Sequence, residues 1–96
     1  MARRRSKGGP LVLRLYVAGR APNSVQAIVN VKAICDEHFP AMHDLEIVDL
    51  LEHPAQALAD GVIVTPTLLK VLPPPAQRVI GNLSDTKAVL DTLGTK

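Results

Sequence analysis

Four side chains have the chemistry to hold a metal or exchange a disulfide: Cys35, His38, His43 and His53. Cys35 and His38 stand at i, i+3 spacing, which puts them on one side of a helix, and the other two histidines bring the set to the four ligands of a structural zinc site. Such sites are normally written as closely paired Cys or His motifs, whereas these histidines sit at loop edges. No metal and no cofactor are therefore expected. Dithiol exchange needs two cysteines two residues apart at a helix N-terminus, where the thiol pKa is lowered. This chain has one cysteine, placed well inside an expected helix on its apolar stripe, where free cysteine acts as a small hydrophobe. Ser24 with a distant histidine lacks the sharp turn of a nucleophile motif, and no phosphate loop or paired dinucleotide glycines occur. The expectation is a protein that is not an enzyme and works by binding.

Composition bounds what it binds. Ninety-six residues, 47% hydrophobic and 21% charged, make one domain with a single core. Only 2% are aromatic, Tyr16 and Phe39, so the core is aliphatic and a stacking platform for single-stranded nucleic acid is excluded. The net charge of +2 divides unevenly: Arg3, Arg4, Arg5 and Lys7 carry +4, leaving seven basic against nine acidic residues for the rest. Residues 1–10 read as a solvated, disordered basic arm ending at Gly8, Gly9 and Pro10, and 11–96 as the folded domain. With the basic excess confined to the arm, nucleic acid is not the expected partner. No apolar run approaches the roughly 18 residues of a membrane span. The absence of an apolar leader and the single cysteine point to a reducing cytoplasm.

A binding surface must be carried by folded elements. Leu11 to Val17, Leu-rich with one charge at Arg14, reads as a strand buried on both faces. Ala18 to Ser24 is a loop, and Asn23 or Ser24 suits a helix cap. From Val25 to about His38, Ala27, Ile28, Val31, Ile34 and Cys35 share one stripe, while Val25 and Val29 fall beside Lys32 and Asp36 on a second face that packs on another layer or meets a partner. Pro40 ends the helix, and Leu45 to Leu51 follows as a strand parallel to the first. Pro54 opens a short helix, Ala55 to about Asp60, which Gly61 stops. Pro66 begins the strand Thr67 to Leu72 through a turn suited to a cis bond. The run Pro73, Pro74, Pro75 predicts an extended connection to an antiparallel partner, Gln77 to Ile80. Gly81 then turns the chain into a Ser84-capped helix with Val89, Leu90 and Leu93 inward and Gly94 at its end. The order βαβαββα, with a proline opening the third strand after a threonine, is the thioredoxin-like arrangement of a single α/β domain. The position of that fold's cysteine pair reads Ala18-Gly19-Arg20-Ala21-Pro22-Asn23-Ser24.

Five blocks carry a resemblance: Leu15 to Gly19 (LYVAG), Pro22 to Val25 (PNSV), Thr65 to Leu68 (TPTL), Val71 to Pro75 (VLPPP) and Ile80 to Asp85 (IGNLSD). Together they identify the chain as similar to the KaiB family of circadian clock proteins. The resemblance implies a non-enzymatic adaptor that binds the ATPase ring of KaiC, helps recruit KaiA, and competes with the thioredoxin-like sensor domain of the histidine kinase SasA. It implies partner-binding roles for Arg20, Asn23, Ser24, Lys32, Lys70 and Arg78. It also implies a second packing of the same sequence, a tetramer with element order βαββααβ, with Gly61, Pro66, Pro73, Pro74, Pro75, Gly81, Asn82 and Asp85 as hinges. Short elements broken by prolines and glycines have weak local preferences, so two packings can lie within about a few kcal/mol of each other. The chain departs from the family pattern at Gln26, Gln77 and Asn82 and stops at Lys96, as a divergent member serving a KaiC paralogue in stress or timing output would. The thioredoxin-like form is expected to dominate. The alternative function is a thioredoxin-like sensor or interaction module, without redox activity, for another partner.

Overall fold

The computed structural model describes residues 11–40 and 43–93, and the basic arm and Gly94 lie outside them. In chain order the elements are β1 (Leu11–Val17), α1 (Pro22–His38), β2 (His43–Asp49), α2 (Pro54–Ala59), β3 (Thr67–Leu72), β4 (Gln77–Ile80) and α3 (Thr86–Leu93). One sheet runs in the order β2-β1-β3-β4, with β1 parallel to β2 and the pairs β1/β3 and β3/β4 antiparallel. This is the thioredoxin-like arrangement.

Alternation along β1 sorts the core into two layers. Leu11, Leu13, Leu15 and Val17 face α1 and α3, joining Ala27, Val31, Ile34, Cys35, Leu68, Val89 and Leu93 in the main cluster. Each large aliphatic side chain fully buried there contributes about 1.5–3 kcal/mol. Tyr16 points to the other side, where with Val48, Ala57 and Val62 it forms the small cluster under α2. Ile28 and Leu90 are half-buried against the main cluster.

Several local features differ from the sequence reading, among them the start of β2 at His43, two residues before the expected Leu45. The helix α1 begins at Pro22 and has no side-chain cap; proline fits its first turn because its missing N–H would have had no partner there. The strand β2 ends at Asp49, two residues before the expected Leu51, because the Asp49 carboxylate accepts from the Leu51 N–H (2.9 Å) and turns the chain. Residues 73–75 bend rather than run extended, since β3 and β4 are antiparallel neighbours and the chain must reverse between them. Asp85, not Ser84, caps α3: its Oδ1 accepts from the Ala88 N–H (3.1 Å). The Thr65–Pro66 bond is cis, as are Leu72–Pro73 and Pro74–Pro75.

Candidate partner-docking site

Two polar contacts set the loop where β1 ends. Ser24, buried to 1% exposure, accepts from the Ala18 N–H through Oγ (3.1 Å). Asp49 accepts from the Gly19 N–H through Oδ1 (3.1 Å), the same oxygen that turns Leu51. Gly19 takes φ +55°, and a Cβ there would meet Leu51 Cδ1 at 3.4 Å. The loop is thus stapled to the β2–α2 turn with Arg20 and Asn23 exposed at its tip. From there Val25, Val29 and Lys32, spaced i, i+4 and i+7, form one outward stripe of α1. Val25 and Val29 are 46% and 57% exposed, so no described element covers the second face of this helix. The pairing of Tyr16 with Thr67 brings the segment before Pro66 to the same end of the sheet, adding exposed Ile63 and Val64. Exposed apolar side chains and the cations Arg20 and Lys32 thus share this part of the surface.

The six residues expected to bind a partner do not form one patch. Arg20, Asn23 and Lys32 belong to the exposed surface. Ser24 is scaffolding beneath it. Lys70 is only 5% exposed: it lies on an interior strand opposite Leu13, which turns its side chain toward the layer under α1 and α3. Arg78 sits on the far face of the sheet, donating to the carbonyls of Gly61 and Asp60 (3.0 Å each). Among the hinge residues, Gly61 and Gly81 take φ +72° and +120°, angles that favour glycine. Asn82 accepts from Asn30 Nδ2 through its carbonyl (2.8 Å) and from the Ser84 N–H through Oδ1 (3.1 Å). In this fold these positions hold turns in place.

A second polar cluster, on the α2 side, was not foreseen. The Asp60 carboxylate accepts from Tyr16 Oη and from Arg14 Nη1 (2.8 Å), while Arg14 Nε also binds Glu46 across the β1/β2 pair (3.0 Å). Hydrogen bonding from Tyr16 and the nearby Arg14 and Arg78 charges hold the Asp60 carboxyl below its usual range, against the effect of burial. Burial and that same bond push the Tyr16 phenol up to about 12, and the bond to Asp60 raises Arg14 further. Neither Asp60 nor Asp49 stood out in the sequence; each is a lone acid beside a turn, and only the fold shows which donors converge on it.

The residues considered first are placed as follows. Cys35 is fully buried, and burial, helped by Asp36, pushes its thiol up to about 11. Among the described residues no three His, Cys, Asp or Glu side chains come together as a ligand set. His43 Nδ1 instead contacts the Phe39 carbonyl (2.8 Å). No helix among the described residues is long and apolar enough to cross a membrane.

Comparison with known proteins agrees with this geometry. A family model described as the KaiB domain matches residues 14–95. The circadian clock oscillator protein KaiB of Microcystis aeruginosa is 49% identical over 82% of this chain and 76% of its own length. The circadian clock protein KaiB3 of Synechocystis is 49% identical over 83% of this chain and 78% of its own. In structure the chain is similar to the N-terminal domain of Synechococcus elongatus SasA, with TM-score 0.66 and 25% identity over 97% of this chain and 91% of that one. It shares its fold with Fasciola hepatica thioredoxin, at TM-score 0.73 and 18% identity over 91% and 82% of the two chains. A match from the first strand to the end of the last helix, on a thioredoxin-like sheet whose cysteine position is empty of thiols, leaves one assignment: this chain belongs to the KaiB family of circadian clock proteins.

Proposed function

We propose that the protein is a non-enzymatic clock adaptor of the cytoplasm that binds a KaiC-type ATPase ring and modulates KaiA- and SasA-type signalling. The observation that carries this reading is the uncovered stripe Val25, Val29 and Lys32 on α1, continuous with the Arg20 loop. An apolar strip rimmed by two cations suits a partner surface of aliphatic side chains edged by carboxylates, with the apolar centre supplying affinity and the rim supplying steering. Likeness to the SasA N-terminal domain supports competition between the two for one ring. The divergence at Gln26 and Gln77 suits a KaiC paralogue in timing or stress output.

The test is a mass-shift assay of the purified chain with KaiC-type ATPases and ATP. Val29→Asp with Arg20→Glu is expected to weaken the complex by about tenfold or more, the size of a lost hot spot, while leaving the far-ultraviolet circular dichroism of the free protein unchanged. Absence of a complex with every KaiC-type ATPase of the source organism removes this reading. It would favour a thioredoxin-like interaction module for a different partner.

A further inference from the structure

The helix α2 is held to the sheet by very little apolar surface. It has six residues, of which only Ala57 is buried, and no side-chain cap at its start. A helix this short is not stable on its own, and one alanine buries too little area to fix its pose. Polar groups from two strands meet its C-terminal end instead. From β1, Tyr16 and Arg14 bind the Asp60 side chain, and Tyr16 Oη also reaches the Gln56 carbonyl (3.3 Å). From β4, the two terminal nitrogens of Arg78 fork onto the Asp60 and Gly61 carbonyls. Because β3 separates β1 from β4, these bonds clasp the end of α2 across the width of three strands. Immediately beyond it come Ile63 and Val64, 87% and 43% exposed, at the docking end of the sheet.

We infer that Asp60, Arg14, Tyr16 and Arg78 form a latch that sets the pose of residues 54–66, and that Arg78 is a positioning residue within it. With the latch closed, Gly61 turns the chain at a fixed angle and the Ile63–Pro66 segment is held at the same end of the sheet as the Arg20 loop. With it open, α2 has only the small Tyr16 cluster to hold it, and that segment loses its fixed relation to α1. The consequence for partner binding rests on the docking reading above; the latch itself does not.

The experiment uses the full chain and needs no partner for its first part. Amide hydrogen exchange is measured on the wild type, Asp60→Asn, Arg78→Ala and Arg78→Lys. Arg78→Ala is expected to raise exchange at Val62, whose N–H binds the Ala57 carbonyl (2.9 Å), by about tenfold, a local opening worth about 1.4 kcal/mol. Amides of β1 and α1 should keep their protection, and Arg78→Lys should restore part of that at Val62. The chain has one tyrosine and no tryptophan, so its fluorescence reports Tyr16 alone. A hydrogen-bonded carboxylate quenches an excited phenol, and Asp60→Asn should therefore brighten the emission. Unchanged exchange at Val62 in both Asp60→Asn and Arg78→Ala overturns the latch, as does a uniform rise that includes β1 and α1. In the second part, Arg78→Ala that weakens a KaiC-type ATPase complex without opening residues 54–66 makes Arg78 a direct contact and overturns its positioning role. Local opening in a protein whose wild type binds no such ATPase supports the latch and removes the docking reading alone.

Discussion

At the scale of single residues, the chemistry resides in half-buried carboxylates and a buried thiol used for architecture. Cys35, fully buried and with its thiol pushed up to about 11, is protonated and shielded at neutral pH. The folded protein should resist alkylation by iodoacetamide and should not reduce insulin disulfides. Cys35→Ala should cost about 1–2 kcal/mol through lost packing and leave partner binding intact; Cys35-dependent reductase turnover would contradict this. Asp60 gives a pH prediction. Its folded carboxyl lies below the usual range because Tyr16, Arg14 and Arg78 face it, with Glu46 sharing Arg14 from β2. Its contribution to stability is complete above the unfolded value, about 4, and is lost as pH falls through the lower folded value. Denaturation of wild type and Asp60→Asn should therefore differ by about 1–3 kcal/mol at pH 7, the scale of a charge-assisted bond, and the gap should close in acid. A gap that stays constant down to pH 2 would assign the stabilisation to shape rather than charge.

At the scale of elements, the helix termini separate what a sequence suggests from what a fold uses. Ser24 and Ser84 both read as helix caps, yet Ser24 holds the Ala18 N–H and Asp85 caps α3. Replacing Asp85 by alanine should destabilise the protein by about 1 kcal/mol, the usual cost of a lost cap. Ser84→Ala should be nearly neutral, since the described bond at that residue uses its backbone N–H. Ser24→Ala leaves a half-buried N–H without its acceptor and should cost about 1–3 kcal/mol. Thermal melts of the three variants check the order; Ser84→Ala as the most costly of them would reverse the assignment. The strands were easier to read. The apolar run of β1 and the prolines bounding β3 extend over several residues, whereas a cap depends on a shift of one position.

At the scale of the whole molecule, α1 and α3 share one face of the sheet and α2 the other, so the two faces are unequally held. Among the described residues the hydrophobic cluster under α1 and α3 has twelve buried members and that under α2 four, which places the less secured part of the fold in residues 54–66. In solution the free chain is expected to show helical backbone chemical shifts from Thr86 to Leu93 and extended shifts from Gln77 to Ile80. Extended shifts over 86–93 together with a tetramer mass would mean that the second packing implied by the family resemblance prevails.

The sequence by itself determined the element order, most of the main core, the lack of a dithiol, and the existence of a second half-apolar face on α1 at Val25 and Val29. Each of these is written in local periodicity or in the presence or absence of one residue type. That this second face is uncovered came from the structure. Tertiary structure alone decided where the charged side chains go. Lys70 lies buried because β3 is an interior strand, Arg78 clasps α2 because β4 aligns it with Gly61, and Asp60 gathers Tyr16 and Arg14 from 44 and 46 residues away. A charge is placed by the groups that surround it in space, and those groups come together only when the sheet has set its strand order and register.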